Sequence, residues 1–431
     1  MATDEKPALD YRDFTFDMFM ASAEGEESEA VRFSQWIDAG NRDRVNSFEA
    51  ARLGAQRTEL DVRRADGVGL HFLNFSSYNY LGYAAHPEVI AAAKQALDEF
   101  GLGACGSPVQ AGTLDLHTRL EHRLIDLIGL PNRGVSLFSS GYAVNTGTIS
   151  AVMQRRHHIV VDKSAHMSII EGAQLARANL HFFEHNDADH LEAILKEVAP
   201  AAERVLVCTE GVFSVDGDFG ALDRIVPTAK AYGAQVLVDE AHSFLLCGER
   251  GCGVAEQQGV LDLVDYLVVT FSKALGGVGG ALITRSEIAR YVNFFARCRA
   301  FSCALDPAVT AGVTRGLELG GGSDGRERRA RLHRNAALLR GGLAEHVDIG
   351  RTTSWVVPVI FGADRLGVPL ADWLQRHGLD GSIMMFPAVP ADEGRIRLFV
   401  SSEHTEAQIA QCIDTVRRAA DEFGFLGKPA S

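Results

Sequence analysis

A single lysine, Lys273, lies within the run LVVTFSKALGGVGGALI at residues 267–283. The residues on either side are apolar or small, and the two flanking runs are typical of buried strands. A cation in such surroundings is costly to desolvate unless chemistry uses it. Lys273 is therefore the first candidate for a catalytic residue.

Two other apolar runs end in groups that could act with this lysine. AQVLVDEAH ends at Asp239, and His242 follows three residues later. RVLVCTEGVFSVDGD ends at Glu210 and leads into a glycine-rich loop that contains Ser214. Open α/β sheets bind ligands at the carboxyl ends of their strands, so these groups can share one sheet edge. A buried ion pair between Asp239 and Lys273 is the structural alternative.

A further run, GVSLFSSGYAVNTG, ends in Ser139, Ser140 and Gly141 just before a predicted helix. The free N–H groups and the positive dipole of a helix start favour a bound phosphate. An anion cradle, a buried carboxylate and a lysine are together what pyridoxal phosphate (PLP) needs. The lysine forms a Schiff base with its aldehyde, the carboxylate keeps the pyridine nitrogen protonated, and the loop holds the phosphate.

The motifs that carry these residues resemble those of the α-oxoamine synthases. This family includes 2-amino-3-ketobutyrate CoA ligase, 8-amino-7-oxononanoate synthase, 5-aminolevulinate synthase and serine palmitoyltransferase. The matching motifs are NFSSYNYLG, DKSAHMSIIEGAQLA, TEGVFSVDGD, VDEAH and TFSKALGG, in the family's order over roughly residues 70 to 420. The resemblance implies an α/β protein of PLP-dependent fold type I, like aspartate aminotransferase. Such a protein has a large domain with a mostly parallel sheet and a smaller α+β C-terminal domain.

Carried over to this chain, the resemblance implies that Lys273 holds the cofactor and that Asp239 pairs with the pyridine nitrogen. His166 in SAHMS stacks on the ring face, and His242 approaches the ring oxygen. A lone histidine is more often structural, so the role of His166 depends on the motif. These four residues form the predicted catalytic set, and no metal is expected.

The same resemblance completes the cofactor site. Ser214 approaches the ring oxygen, and Thr270 with the loop residues Gly141 and Tyr142 holds the phosphate. Ser302 in FSCALDP reaches the phosphate of the neighbouring subunit. That last assignment implies a homodimer with active sites at the interface.

Two positions match residues that bind the carboxylate of the amino acid substrate. They are Asn79 in YNYLG and Arg397 in RIRLFVSS. Without the resemblance, they read as a turn asparagine and a surface arginine.

The implied reaction is a condensation of an α-amino acid with an acyl thioester that releases CO2 and leaves an α-amino ketone. The amino acid is serine, alanine or glycine, and the donor is carried by CoA or by a carrier protein. We favour serine with a long acyl chain because Pro108, in GSPVQAGTLDLH, stands where many members have an arginine. That arginine can meet the polar end of a short dicarboxylic acyl group such as succinyl.

Three alternatives remain open from the sequence. An aminotransferase on the same fold would exchange amino and keto acids without a thioester. A non-catalytic partner subunit is expected to lack the lysine that this chain has. A nicotinamide-binding oxidoreductase needs its GxGxxG after a strand, whereas GLGACG at residues 101–106 follows the helical run VIAAAKQALDEF.

The elements that must position these residues alternate along the chain. The short β-rich runs GVSLFSS, HHIVVD, LHFFEH, RVLVCTE, AQVLVDE and YLVVTFSK are separated by helical stretches. This alternation predicts a mostly parallel sheet covered by helices. Leucines at four-residue spacing predict a helix over 113–129, with Thr113 as its N-cap and Gly129 as its stop.

The pattern changes after about residue 310 to an Arg-rich helix, the strands WVVPVIFG, GSIMMFPAV and RIRLFVSS, and a final helix from Thr405. We therefore predict an N-terminal segment over 1–65, a large PLP-binding domain over 66–308 and a small C-terminal domain over 309–431. In the N-terminal segment, ASAEGEESEA is expected to be frayed, with helical pieces after it.

Composition excludes several classes of function. The 431 residues carry a net charge of −14, which argues against a nucleic-acid-binding surface. The seven cysteines form no CxxC pair and no ligand-spaced set, as expected in a reducing cytoplasm. The chain also has neither a signal-peptide pattern nor an apolar run of about 18 residues, so we predict a cytoplasmic protein without a transmembrane segment.

Overall fold

The computed structural model describes Tyr11, Thr15 and residues 26–427. Two compact units are present. The terminal unit combines the described residues of Met1–Ser77 and His333–Ser431, and the central unit is Tyr78–Leu332. Residues 21–25 of the stretch expected to be frayed lie outside the described residues, and the first helix begins at Glu26.

The helices and strands alternate over most of the chain. In order they are α1 (Glu26–Arg42), β1 (Ala51–Arg52), β2 (Glu59–Arg63), β3 (Gly69–Asn74), α2 (Pro87–Phe100), α3 (Asp115–Ile128), β4 (Arg133–Phe138), α4 (Gly141–Val152), β5 (His158–Asp162), α5 (Met167–Ala176), β6 (Asn179–Phe183), α6 (Ala188–Val198), β7 (Val205–Glu210), α7 (Leu222–Ala231), β8 (Gln235–Asp239), α8 (Val254–Gln257), β9 (Tyr266–Thr270), β10 (Gly280–Arg285), α9 (Ser286–Phe295), α10 (Arg297–Ala300), α11 (Pro307–Gly321), α12 (Ser323–Ala344), β11 (Val356–Gly362), α13 (Gly367–Arg376), β12 (Leu379–Asp380), β13 (Ser382–Met384), β14 (Gly394–Phe399) and α14 (Glu406–Phe423).

The central unit is built on a seven-stranded sheet of order β4-β10-β9-β8-β7-β5-β6. The five strands from β9 to β6 in this order are parallel, which confirms the predicted mostly parallel sheet. Every residue of β7 and β9 is buried. Strands covered by helices on both faces take this uniformly apolar pattern, and their polar residues are confined to the strand ends.

Strand β10 is the exception, because it runs antiparallel to both β9 and β4. Only residues 271–279 join β9 to β10. A parallel crossover needs about a dozen residues or more, so this connection can only be a hairpin-like loop. Lys273 lies in that loop, which is anchored in the sheet at both ends.

Helix α4 packs on the sheet behind the strand ends. Val144 and Ile149 of α4 are fully buried with Leu206, Leu237 and Val268 from three neighbouring strands. Burying each such side chain contributes about 1.5–3 kcal/mol, so the start of α4 is fixed against the sheet edge.

Helix α3 ends where the sequence predicts but begins differently. Gly129 adopts the left-handed conformation after Ile128, as expected for a stop. The predicted N-cap, Thr113, is wrong: the N-cap is Leu114, whose N–H donates to Nδ1 of His117 at 2.9 Å. His117, in the first turn, accepts the N–H of the N-cap residue, whereas an N-cap threonine accepts an N–H of the first turn.

The terminal unit contains two small sheets, of order β1-β2-β3-β12 and β11-β14-β13. The predicted strands near residues 355, 382 and 395 correspond to β11, β13 and β14. The predicted final helix is α14, and Thr405 caps it by accepting the N–H of Gln408 at 3.2 Å.

The units change at 77/78 and 332/333, whereas the predicted domain boundaries lie at 65/66 and 308/309. The first difference arises because β3 pairs with β12, which places the whole β2–β3 hairpin in the terminal unit. The second arises because α11 packs on α2 and α3 of the central unit. No helix within the described residues is both long and apolar enough to span a bilayer.

Candidate active site

Lys273 is half-buried, three residues beyond the end of β9. Its Nζ lies 5.9 Å from the centroid of the Tyr78 ring. The loop around it is closed by bonds from Phe271 N–H to Gly279 O at 2.9 Å and from Gly276 N–H to Lys273 O at 3.0 Å. Gly276 has φ of +66°, and a Cβ there would lie 2.3 Å from the backbone nitrogen of Ala84. The backbone of Lys273 is therefore held in place by its own loop.

Asp239 ends β8 and is only 5% exposed. Asn145 Nδ2 donates to its Oδ2 at 2.7 Å, and the Ala241 N–H donates to its Oδ1 at 2.9 Å. These two donors, one to each oxygen, fix the orientation of the Asp239 carboxyl group at the sheet edge.

Glu210 lies beside Asp239, because β7 and β8 are parallel and these two residues are register partners. It is 3% exposed. Burial and the Asp239 charge raise the pKa of Glu210 well above its ordinary value, against the opposing effects of the His166 N–H and the Lys273 charge. Burial beside a second carboxyl group therefore favours the protonated form of Glu210. The sequence alone identifies Glu210 only as a residue at a strand end.

His166 is the N-cap of α5, and its side chain is exposed. Its backbone N–H donates to Glu210 Oε1 at 2.5 Å, and its Nδ1 lies 2.8 Å from Ser168 Oγ. Ser168 in turn accepts a bond from Asn145 Nδ2 at 2.9 Å. A continuous hydrogen-bonded chain thus runs from Asp239 through Asn145, Ser168 and His166 to Glu210.

His242 is buried beyond the end of β8, with its Nδ1 2.7 Å from the hydroxyl oxygen of Tyr80. The Tyr78 ring meets it edge-on at 6.0 Å. Ser214 is half-buried in the turn that follows β7. Asn79 is also half-buried, and its Oδ1 accepts the N–H of Ala84 at 3.2 Å, a contact typical of a turn asparagine.

The proposed phosphate cradle is the start of α4. Ser140 caps this helix by accepting the N–H of Ala143 at 3.1 Å. A Cβ on Gly141 would lie 2.8 Å from Thr270 Oγ1, so only glycine lets Thr270 approach the helix start. Tyr142 is exposed, and a hydrogen bond to Glu171 raises its pKa to about 12. The first N–H groups of a helix have no partner within it and are suited to a phosphate.

Ser302 is half-buried and lines a cavity of about 20 Å³ together with Ser139 and Pro108 of the same chain. A cavity of that size holds about one water molecule. Pro108 therefore lies near the beginning of the cradle, and the reach of Ser302 to a neighbouring subunit stays a prediction.

Arg397 belongs to the terminal unit, on β14. It is half-buried, its Nη2 donates to Ser382 Oγ at 3.2 Å, and its guanidinium lies 5.1 Å from the Phe399 ring centroid. Ile396 and Leu398, which face the other way, are fully buried. The arginine is thus a structured strand residue rather than a fully solvated one.

One group of side chains has the composition of a metal site: His185, Asp216 and Asp218 place possible ligand atoms within 4.8 Å of one another. Both nitrogens of His185 are already bonded, to Asp162 at 2.9 Å and to Asp218 at 2.8 Å. Burial alone would lower the pKa of His185, but these two carboxylates raise it to about 9. A protonated imidazole has no lone pair for a metal, so a proton accounts for this cluster.

The residues at this sheet edge fit PLP by their chemistry. An amine on a fixed loop, a buried carboxylate held by two donors, an exposed histidine ring and a glycine-opened helix start all lie in the central unit. The sequence indicated four of these features, but not Asn145, Ser168, Tyr80 or the pairing of Glu210 with Asp239.

Comparisons with known proteins agree with this chemistry. The family model described as aminotransferase class I and II matches residues 71–416. An 8-amino-7-oxononanoate synthase of Alkaliphilus metalliredigens is 34% identical over 359 residues, covering 83% of this chain and 90% of that protein. A serine palmitoyltransferase of Sphingobacterium spiritivorum is 35% identical over 351 residues, covering 81% and 87%. The solved structure of a serine palmitoyltransferase from S. paucimobilis with a bound PLP–myriocin aldimine superposes with a TM-score of 0.86 at 32% identity, covering 93% of this chain and 100% of that one.

Proposed function

We propose that this chain, which belongs to the aminotransferase class I and II family and within it to the α-oxoamine synthases, condenses serine with a long-chain acyl thioester. It is a PLP-dependent acyltransferase, as its relatives are. The products are an α-amino ketone, CO2 and the free thiol. The observation that carries the proposal is Lys273 on its fixed loop at the sheet edge that also holds the doubly hydrogen-bonded Asp239.

The preference for serine and a long acyl chain has two supports. Serine palmitoyltransferases are among both the sequence relatives and the structural neighbours. In addition, Pro108 supplies no charge where a dicarboxylic acyl group would need one. An 8-amino-7-oxononanoate synthase is comparably similar, so alanine and glycine are the competing substrates to test.

Bound PLP supplies an aldehyde that takes up an amine and a ring that accepts electrons from the substrate's α carbon. Lys273 holds the cofactor through Nζ and, once released, takes the α proton onto the same atom. Asp239 keeps a proton on the ring nitrogen, with Asn145 fixing the carboxylate. His166 covers the ring face, and His242, held by Tyr80, meets the ring oxygen together with Ser214.

Other residues bind the ends of the ligands. Gly141, Tyr142 and Thr270 hold the phosphate at the start of α4. Arg397 holds the substrate carboxylate through a two-pronged contact, and Asn79 assists it. Ser302 reaches the phosphate of a second subunit, which makes the working form a homodimer.

A cytoplasmic location is part of the same proposal. All seven cysteines lie within the described residues and are free thiols, and four of them are buried. Unpaired cysteines scattered in this way are typical of proteins kept in a reducing compartment.

The test is a matrix of substrates. Serine, alanine and glycine, each labelled in the carboxyl carbon, are combined with long-chain and short dicarboxylic acyl thioesters, and both CO2 and free thiol are measured. We expect equal release of the two products, fastest with serine and the long chain, and none from Lys273→Ala. Lys94→Ala, at an exposed position, is the matched control and should behave as wild type.

Two other outcomes would change the proposed function. Exchange of amino and keto acids without release of thiol would identify an aminotransferase instead. Faster turnover with alanine or glycine would overturn the choice of serine and leave the reaction class intact.

A further inference from the structure

Glu210 has a position that no part of the proposed reaction uses. It ends β7, is register partner to Asp239, and is almost completely buried. Its Oε1 accepts the backbone N–H of His166 at 2.5 Å, across 44 residues of sequence. Glu210 therefore lies between Asp239, which is proposed to face the ring nitrogen, and His166, which is proposed to cover the ring.

The charged groups that affect Glu210 lie at the ends of neighbouring strands or in the loop that follows one of them. Asp239 lies on β8 and Asp162 ends β5, and both oppose ionisation of Glu210; Lys273, in the loop after β9, favours it. On the far side of Asp162, the protonated His185 is hydrogen-bonded to Asp162 and Asp218 and offsets their negative charges. Its positive charge is therefore shared by those two carboxylates rather than directed at Glu210. Any step that removes the positive charge of Lys273 therefore removes the one charge among these groups that favours ionisation of Glu210.

We propose that Glu210 stays protonated in the working enzyme and, as a neutral carboxyl, positions His166 over the cofactor site. The carbonyl oxygen of the acid accepts the His166 N–H, and the hydroxyl carries the proton. This inference rests on the proposed role of His166. It assigns Glu210 as a positioning residue, because it acts through His166 and not on the substrate.

A neutral Glu210 also protects the function of Asp239. Two ionised carboxylates at adjacent strand ends would repel each other, and one of them would take up a proton. Asp239 has two hydrogen-bond donors on its carboxylate, whereas Glu210 accepts one backbone N–H. The proton is therefore held by Glu210, which leaves Asp239 as the acceptor for the ring nitrogen.

The protonation state can be tested without cofactor or substrate. In the wild type, the folded chain holds a proton that the unfolded chain releases above a pKa of 4.5, so raising the pH favours unfolding. Glu210→Gln is neutral in both states and lacks this effect. The melting temperature of cofactor-free Glu210→Gln, relative to wild type, should therefore rise steadily from pH 5 to pH 8. Glu197→Gln, at an exposed site, should differ from wild type by a constant amount.

A constant difference for Glu210→Gln across that range would mean that Glu210 is ionised when folded, and would overturn the proposal. Infrared spectroscopy of the wild type gives a second measurement that does not depend on how the variant folds. The carbonyl band of a protonated carboxyl should persist at pH 8 in wild type and in Glu121→Gln, which removes another carboxyl whose pKa burial raises. Glu240, whose pKa burial raises to about 7, is largely ionised at that pH. Absence of the band at pH 8 would equally refute a protonated Glu210.

The positioning role needs a second comparison. Glu210→Gln keeps the length of the side chain and an oxygen for the His166 N–H, whereas Glu210→Asp withdraws the carboxyl by one methylene. PLP added to the cofactor-free proteins should bind Glu210→Gln within about threefold of wild type and Glu210→Asp at least about tenfold more weakly. Equal weakening in both variants would overturn the positioning role. Because neither measurement involves turnover, failure here is distinct from failure of the proposed reaction.

Discussion

Asp239 is the residue whose charge matters most to the proposed chemistry. Replacing it with asparagine keeps the size of the side chain but removes the negative charge opposite the ring nitrogen. We expect Asp239→Asn to retain bound PLP and to lose about 10²- to 10³-fold in exchange of the substrate's α proton, since a preorganised charge is lost. Exchange is measured by deuterium incorporation into the amino acid.

The control for this change is Asp126→Asn, because Asp126 is an exposed aspartate with a side chain 70% accessible to solvent. It should exchange at the wild-type rate. If Asp239→Asn also exchanged at that rate, Asp239 would not be the group that supports the electron-accepting ring.

Arg397 provides a second test at the scale of one side chain. If it binds the substrate carboxylate, Arg397→Ala should weaken binding of the amino acid by about 2–4 kcal/mol and leave the PLP content unchanged. Arg397→Lys should recover only part of this, because an ammonium cannot form the two-pronged contact. Titration with amino acid, followed by the absorbance of the cofactor, measures both.

Arg417→Ala is the matched control, since Arg417 is a surface arginine of the same unit, paired with Asp414 at 2.9 Å. It should titrate as wild type does. Overlapping curves for wild type and Arg397→Ala would remove Arg397 from the substrate site.

The sequence points to the candidate site residues near strand ends but not to the residues that hydrogen-bond to them. Asp239 and Lys273 stand out because a charge ends an apolar run. Asn145 does not, because nothing local in GYAVNTG indicates a contact with a carboxylate 94 residues away. Tyr80 is a similar case, since its partner His242 lies 162 residues away in the chain.

At the scale of elements, all six β-rich runs that were predicted as strands of the large domain are strands. The uniformly apolar runs of β7 and β9 follow from burial on both faces of the sheet, whereas the edge strand β6 is only partly buried. The antiparallel direction of β10 was not predicted, although the short connection at residues 271–279 indicates it. The cap of α3 was assigned to the wrong residue, because histidine is an uncommon capping acceptor and Thr113 is a usual one.

His185, just after β6, forms charged contacts with Asp162 at the end of β5 and with Asp218 in the segment that follows β7. A histidine whose pKa is raised on folding, here from 6.5 to about 9, stabilises the protein fully below pH 6.5. That stability is lost as the pH rises through 9, and amounts to about 3 kcal/mol. We expect His185→Gln to be less stable than wild type at pH 6 and to lose less stability between pH 6.5 and 9, as measured by urea unfolding.

His71→Gln serves as the comparison, because the side chain of His71 is 61% exposed. At pH 6 it should be about as stable as wild type, because ion pairs of an exposed side chain contribute little to stability. If the stability of His185→Gln changed with pH as that of wild type does, folding would not raise the pKa of His185. The strand ends would then be held in another way.

The whole molecule is proposed to be a homodimer in which Ser302 completes the site of the other subunit. Ser302→Asp should repel the phosphate, and Lys273→Ala lacks the amine that takes the α proton, so each homodimer should be inactive. A heterodimer of the two, isolated with two affinity tags, keeps one intact site if Ser302 acts across the interface. It should therefore show about half of the wild-type activity per dimer.

A heterodimer of Lys273→Ala with wild type is the control and should also be about half active, since one site is intact in either arrangement. If the mixed Lys273→Ala and Ser302→Asp dimer is inactive while this control is active, Ser302 serves its own chain. A protein that sediments as a monomer at assay concentration would contradict the dimer itself.

The closed loop that carries Lys273 also sets the effective concentration of the lysine amine at the proposed site. Anchored in β9 and β10 and packed through Gly276 against Ala84, the backbone allows the amine to move only by rotation of its own side chain. Well-oriented groups held in this way reach effective molarities of about 10⁵–10⁸ M. No free amine in solution attains such a concentration, so an added small amine can restore only a small part of what Lys273→Ala removes. The same lysine on a loosely held loop would have the same chemistry and little of this advantage.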